Sequence, residues 1–184
     1  MPQSKILIDT NSYIRLAQSL HPLLSKIFGN EEYCLYIIKE LNEELGSNRL
    51  SNKFPWVHSD EYIENRSNFP SIGRKAKKAI DNNFEYIWEY VTSDLPGPSK
   101  VDALYIASAM ELGIPVVTDD CDMTELAEVF DVQTMTTMRL LKLMCDSSHI
   151  TIGKVKGITD YWIHLSDCPA KFNSELKKFF PTIK

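Results

Sequence analysis

The sequence predicts an α/β domain in which helices lie on both sides of a mostly parallel sheet, a three-layer α/β/α arrangement. Short apolar runs with the length of a buried parallel strand occur at residues 5–8, 34–37 and 114–117. Each run is followed by apolar residues at helical spacing. A length of 184 residues is suited to one domain with a sizeable core.

In the first half, residues 5–8 predict a strand, and Asp9 to Ser12 offer N-cap side chains to a helix that reaches Leu20. Further helical turns are expected up to residue 28. The strand at 34–37 leads directly into a helix at 38–45, which Gly46 is placed to end. The rest of this half predicts a loop from residue 47, a long helix over 71–91 and a break at 95–98.

In the second half, a helix over 101–112 closes at Gly113 and precedes the strand at 114–117. A helix through Val129, a short strand at 132–135 and a helix at 136–144 complete the alternation. We therefore expect residues 1–145 to form the α/β domain, with 48–98 as a longer helical insertion. Residues 146–184 predict a helical extension packed on the same domain.

Composition limits the classes of protein that fit. The formal charge of −5 gives no global basic footprint for nucleic acid, although an acidic metal site would itself contribute negative charge. The apolar runs are too short for a membrane span. The four cysteines are scattered without a CxxC pair, which disfavours a zinc finger or a disulfide framework. A cytoplasmic protein with reduced thiols, without a membrane partner, is the expectation.

Acidic side chains converge on one edge of the predicted sheet. Asp9 follows the first strand, Asp119 and Asp120 follow the strand at 114–117, and Glu40 begins the helix after the second strand. Asp102 lies in the first turn of a helix that leads into a strand, which places it at the same edge. Ligands bind at the carboxyl ends of strands in such sheets, and clustered carboxylates are typical of Mg²⁺ or Mn²⁺ sites.

Each acid also has a structural alternative. Asp9 fits a helix N-cap, and Ser99 with Asp102 has the spacing of a capping box. Glu40, together with Glu43 and Glu44, fits a solvated helix face. The acids from Asp119 to Asp122 fit a turn that caps the next helix.

Four segments together resemble the PIN-domain ribonucleases, particularly the small bacterial toxins of toxin–antitoxin pairs. The segments are Ile6-Leu7-Ile8-Asp9-Thr10-Asn11-Ser12, Ile38-Lys39-Glu40-Leu41, Asp102-Ala103-Leu104-Tyr105-Ile106-Ala107-Ser108-Ala109 and Gly113-Ile114-Pro115-Val116-Val117-Thr118-Asp119-Asp120-Cys121-Asp122. The resemblance covers about residues 4–47 and 99–140. The insertion at 48–98 and the tail from 146 depart from the compact family pattern.

The resemblance implies a PIN-like fold and a Mg²⁺- or Mn²⁺-dependent endonuclease that cleaves single-stranded or structured RNA. It implies Asp9, Glu40, Asp102 and Asp120 as the catalytic, metal-binding acids, with Asp122 a fifth candidate. Asn11 and Thr118 match supporting positions. Between Asp119 and Asp120, the Thr-x-Asp pattern favours Asp120. An antitoxin protein and a homodimer are further implied partners.

Phosphate contacts would come from basic residues near the site, for which Arg15 and Lys100 are the candidates. Two rival functions stay open. A haloacid-dehalogenase-type phosphatase also places an Asp after its first strand, but it normally has a second acid two residues later, where this chain has Asn11. The other rival is a catalytically inactive PIN-like binding module.

Overall fold

The computed structural model describes residues 3–67, 69 and 71–183 of the chain. Residues 68 and 70 of the predicted insertion and residue 184 of the predicted tail lie outside it. The described chain is an α/β protein with a five-stranded, mostly parallel sheet flanked by helices, which confirms the predicted class at this level. The strand order is β2-β3-β1-β4-β5. The strands are β1 (Ser4–Ile8), β2 (Ile27–Phe28), β3 (Tyr33–Tyr36), β4 (Val116–Val117) and β5 (Thr134–Met135).

Strand β1 occupies the centre of the sheet. It pairs in parallel with β3 on one side and with β4 on the other, with Ile6 opposite Leu35 and Leu7 opposite Val116. The Asp9 N–H continues this pairing by donating to the Val117 carbonyl at 3.0 Å. The residues that follow β1 and β4 are therefore held side by side at the carboxyl edge of the sheet.

Ten α-helices surround the sheet in the described residues. They are α1 (Thr10–Ala17), α2 (Leu41–Leu45), α3 (Asn48–Lys53), α4 (Asp60–Arg66), α5 (Arg74–Ser93), α6 (Lys100–Leu112), α7 (Cys121–Val129), α8 (Thr137–Asp146), α9 (Ile152–Leu165) and α10 (Phe172–Phe179). Helix α6 ends at Gly113, whose φ of 62° is a left-handed conformation that glycine adopts without strain. None of these helices combines the length and apolar character that crossing a bilayer requires.

Three local predictions are wrong. Residues 21–28 are not helical: Ser25 has a φ of 59° and donates to the Leu35 carbonyl, and β2 follows as an antiparallel edge strand. The helix expected from residue 38 begins at Leu41. The loop expected after residue 47 contains α3, a 3-10 turn and α4, because the Arg66 side chain docks in the core and donates to Val57 and Asn42.

The C-terminal helices share the core of the domain. Trp162 on α9 is 1% exposed, and its Nε1 donates to the Arg15 carbonyl on α1 at 3.1 Å. Its ring packs edge-on against Phe172 of α10, with the ring centroids 6.2 Å apart. Both rings belong to the same hydrophobic cluster as the strands. Residues 152–179 thus help to hold α1, which begins at the end of β1.

Trp162→Ala is expected to lower the free energy of unfolding by about 3–5 kcal/mol, since it removes a buried indole and leaves a cavity. Ile163→Ala on the same helix is the matched control, because Ile163 is 54% exposed, and it should change stability by less than about 0.5 kcal/mol. Urea denaturation followed by circular dichroism measures both. Equal effects of the two substitutions would contradict the docking of α9.

Candidate functional site

A polar cleft of about 460 Å³ opens at the carboxyl edge of the sheet. Four acidic residues from four separate segments of the chain line it, namely Asp9, Glu44, Asp102 and Asp120. The remaining lining residues are Thr10, Asn11, Ser47, Arg49, Leu50 and Ser99. The cleft therefore combines one basic side chain with four carboxylates that the sequence separates by as much as 111 residues.

Asp9 is the most buried of the four acids, at 4% exposure. It is the N-cap of α1, where Oδ1 accepts from the Ser12 N–H at 2.6 Å. Its Oδ2 accepts from the Thr118 hydroxyl at 2.6 Å, and Thr118 Oγ1 in turn accepts from the Asp120 N–H at 3.1 Å. Thr118, predicted as a supporting residue, thus connects the acids that follow β1 and β4.

Asp102 and Asp120 both use one carboxylate oxygen to cap a helix. The Ser99 N–H donates to Asp102 Oδ2 at 2.7 Å, which completes the capping box that the Ser99–Asp102 spacing predicts. The Met123 N–H donates to Asp120 Oδ1 at 3.0 Å at the start of α7. Within the described residues, Asp120 Oδ2 accepts no hydrogen bond from a protein group, and the hydrogen bonds to the Asp102 carboxylate come from Ser99 alone. Capping and cation binding are therefore compatible roles for these two acids.

Glu44, rather than Glu40, joins this cleft. Thr10 Oγ1 donates to Glu44 Oε2 across the cleft floor. Glu40 lines a different, largely apolar cavity of about 220 Å³, together with Ile37, Phe69 and Leu104. The reason is the start of α2: a helix that begins at residue 41 instead of 38 brings the residue one turn later to the edge. Placing Glu44 in the cleft therefore depends on the start of α2 at Leu41, which the apolar pattern of the sequence did not locate.

Asp119 and Arg15 form a separate structural pair. Arg15 Nη1 lies 3.0 Å from Asp119 Oδ2, and the Asp119 side chain is only 6% exposed. Asp119 also accepts from both the backbone N–H and the hydroxyl of Thr137, at 3.0 and 2.5 Å. Because these contacts occupy the Asp119 carboxylate, Asp120 is the one of the two adjacent acids that lines the cleft. Arg15, predicted as a phosphate contact, does not line the cleft.

Of the other predicted site residues, Asn11 belongs to the cleft lining, and Lys100 and Asp122 do not. The Nζ of Lys100 lies 5.5 Å from the centre of the Trp88 ring. Asp122 packs against the loop at Gly97, where a Cβ would come within 2.8 Å of Asp122 Oδ2. Arg49 of α3, which the sequence pattern did not indicate, is the basic side chain of the cleft wall.

The cleft carries uncompensated negative charge. Burial raises the pKa of Asp9 to about 6, against the lowering effect of hydrogen bonds from Thr118 and Ser12. Burial also raises the pKa of Asp102, and the nearby negative charges of Asp120 and Asp122 raise this pKa further. The pKa of Glu44 is raised by burial and by Asp102. The acids therefore influence one another through space, which is the situation that a bound cation relieves.

Two observations test whether these residues fit a metal ion. Oxygen donors in this number are those that Mg²⁺ and Mn²⁺ prefer. The Tyr105 hydroxyl, fully buried near Asp9, Glu44 and Asp102, has no hydrogen bond of ordinary distance and angle among the described residues. Burial raises its pKa, and a contact with the Ile38 backbone opposes that shift. No three acidic, His or Cys side chains of the described residues stand close enough to share one ion. The chemistry of the donor set fits Mg²⁺ or Mn²⁺, whereas the spacing of the acids does not by itself enclose an ion.

No protein-family model, curated protein or solved structure matches this chain in the three comparisons made.

The stability of the metal-free protein should fall as the pH rises through the range set by Asp9. Its pKa is about 6 in the folded chain and 3.8 as an unperturbed group, so the folded state holds this proton more tightly. The stabilisation from this proton is fully present below the pKa of the unfolded chain and is lost as the pH rises through the pKa of the folded chain. The free energy of unfolding should therefore fall by about 2–3 kcal/mol between about pH 4 and pH 7. Chemical denaturation in the presence of a chelator measures it.

Asp9→Asn keeps a good N-cap and removes the titration, so its free energy of unfolding should vary less over that range by the same amount. Glu31→Gln, a substitution of an exposed acid, is the matched control and should follow the wild type. Parallel profiles of unfolding free energy against pH for the wild type and Asp9→Asn would contradict the raised pKa of the buried Asp9 carboxyl.

Two buried tyrosines provide a test of the unpaired hydroxyl. Tyr105→Phe removes a group without a well-formed hydrogen bond and should leave the free energy of unfolding unchanged or raise it by about 1 kcal/mol. Tyr13→Phe removes the oxygen that accepts from Arg66 Nη1 at 3.4 Å, so it should lower stability by about 1 kcal/mol. Both are measured by urea denaturation without divalent cations. A loss in Tyr105→Phe equal to that in Tyr13→Phe would show that the Tyr105 hydroxyl is paired.

Proposed function

We propose that this chain is a PIN-like, Mg²⁺- or Mn²⁺-dependent endoribonuclease that hydrolyses phosphodiester bonds in single-stranded or structured RNA. The observation that carries the proposal is the arrangement of Asp9, Glu44, Asp102 and Asp120 around one cleft at the carboxyl edge of the sheet. The motifs that resemble PIN-domain ribonucleases supply three of these four acids.

In this proposal, Asp9, Asp102 and Asp120 hold the ion, and Glu44 completes the set in place of Glu40. When bound, the ion would supply Lewis acidity toward the scissile phosphate and lower the pKa of a coordinated water. Asp120 Oδ2 accepts no hydrogen bond within the described residues and is suited to ligation, while the capping hydrogen bonds of Asp102 and Asp120 fix the position of each carboxylate. Thr118 orients Asp9 by donating to Oδ2.

The chain also offers groups that would receive the nucleic acid. Arg49 supports phosphate binding, since it is the basic side chain of the cleft wall. The N-termini of α1, α6 and α7 all begin at this edge, and helix N-termini favour anions. Asn11 adds a neutral hydrogen-bonding group beside Asp9.

The toxin role, an antitoxin partner and a homodimer belong to the same proposal, and their support is the family resemblance of the four sequence motifs. An intracellular RNA target would make the cytoplasm the site of action. The acids that line the cleft favour turnover over a binding module that has lost activity.

Cleavage of a fluorescently labelled single-stranded RNA with Mn²⁺ or Mg²⁺ tests the proposal. Asp9→Asn, Asp102→Asn and Glu44→Gln should each lower the rate by at least about a hundredfold, because each removes a ligand charge. Glu40→Gln is the matched control and should cut at the wild-type rate, because Glu40 lines a different cavity. Loss of cleavage in Glu40→Gln with wild-type cleavage in Glu44→Gln would contradict the site assignment. Release of phosphate from a phosphate monoester would favour the phosphatase.

A measurement of Mn²⁺ binding distinguishes an incorrect metal site from an incorrect choice of substrate. Mn²⁺ at about one hundred times its dissociation constant should raise the stability of the wild type by about 2.7 kcal/mol, since it binds the folded state. Asp9→Asn should show little of this effect, and thermal unfolding with and without Mn²⁺ measures it. Stabilisation without cleavage of RNA would retain the metal site and reject the proposed substrate.

A further inference from the structure

The charges of the chain are distributed unevenly. Between Lys78 and Arg139 the sequence has twelve acidic residues and a single basic residue, Lys100. Only some of these acids belong to the cleft. The Asp119 side chain is buried and paired with Arg15, and the others lie on α5, α6 or α7 or directly after α5 or α7. Helix α6 packs against both α5 and α7 on one side of the molecule. The remainder of the chain is net basic.

Large apolar side chains are exposed on the same side. Tyr86 of α5 is 67% exposed, Met110 of α6 is 44% exposed and Val129 of α7 is 49% exposed. Phe130 lies between the helices, with its ring edge-on to Tyr86 and Tyr90 at centroid distances of 5.9 and 5.6 Å. These five residues are called the α5–α7 face below.

A shallow depression of about 400 Å³ continues the α5–α7 face. Met110 and Phe130 form part of its wall, together with Pro115 and Asp131. It is large enough to receive an apolar side chain from another molecule. Clusters of exposed apolar residues of this kind are typical of sites where a protein binds a partner.

Exposed acids surround the α5–α7 face. Glu85 and Glu89 flank Tyr86, Glu111 follows Met110, and Asp131 follows Phe130. Within the described residues, none of these four takes part in a salt bridge. On the far side of α7, Glu125 and Glu128 share a different depression with Lys171. Lys100 is ten residues from Met110 along α6, which corresponds to about 15 Å.

We propose that the α5–α7 face binds a basic, amphipathic protein segment, with apolar side chains of the segment on Tyr86, Met110 and Phe130 and its Lys or Arg side chains on the surrounding acids. Charge complementarity selects this partner. A second copy bound as a symmetric dimer through this face is a poor occupant, because it would place two acidic faces against each other. The inference does not depend on the proposed nuclease activity.

The test begins with selection of a displayed library of random 20-residue peptides on the whole chain, and Asp102→Asn later identifies peptides that bind the acidic cleft instead. Enriched peptides should carry net positive charge and apolar residues at helical spacing. A synthetic peptide of the consensus sequence is then titrated by fluorescence anisotropy. Its affinity should fall as the salt concentration rises.

Tyr86→Ala and the double substitution Glu89→Lys with Asp131→Lys should each lower the affinity of the chain for this peptide by about tenfold or more. Ile163→Ala and Glu31→Lys change an exposed apolar residue and an exposed acid elsewhere, and they should bind like the wild type. Circular dichroism verifies the fold of each variant.

Several results would overturn the proposal. One is a library that yields no enriched peptides, or peptides without net positive charge. Another is a consensus peptide whose binding survives Tyr86→Ala but is lost in Asp102→Asn, which would place it in the cleft. A third is a wild-type dimer, measured by light scattering, that Tyr86→Ala converts to a monomer, because the occupant would then be a second copy.

Discussion

The Thr118 hydroxyl donates to Asp9 and accepts from the Asp120 backbone, so a single side chain joins the ends of two neighbouring strands. This link pairs the second oxygen of a buried carboxylate whose first oxygen caps α1, and a buried oxygen left without a hydrogen bond would be costly. It requires the parallel register of β1 and β4, which also places the Asp9 N–H against Val117. The position of the cleft follows from this pairing.

The next residue along, Asp119, turns the other way. It binds Arg15 and Thr137, and the Arg15 carbonyl receives the Trp162 indole. Two adjacent acids therefore have opposite surroundings: Asp120 lines the cleft, and Asp119 connects β4 to α1 and α8. The C-terminal helices support the site indirectly. Helix α9 contacts α1 through the Trp162 indole, and the first residue of α1 follows Asp9.

Much of this arrangement could be predicted from local sequence. Short apolar runs located the central strands, and the Ser99–Asp102 spacing located both a helix start and its cap. The rule that strand ends share an edge brought together Asp9, Asp102 and Asp120. Glu44 and Arg49 could not be selected, because their positions depend on where α2 begins and on how α3 docks. The docking of α4 through Arg66 is likewise a tertiary effect, and β2 has too little apolar pattern to be recognised before it pairs with β3.

The capping role of the acids has a consequence for how this sequence can change over generations. Asp9 and Asp120 each begin a helix, and Asn begins a helix as well as Asp does. In the genetic code, a single base change converts either Asp codon to an Asn codon. A folded chain that has lost one acid of its cleft is therefore one point mutation away. If the proposed activity harms the cell that carries the gene, selection would favour such an inactive form, and the fold would outlast the chemistry.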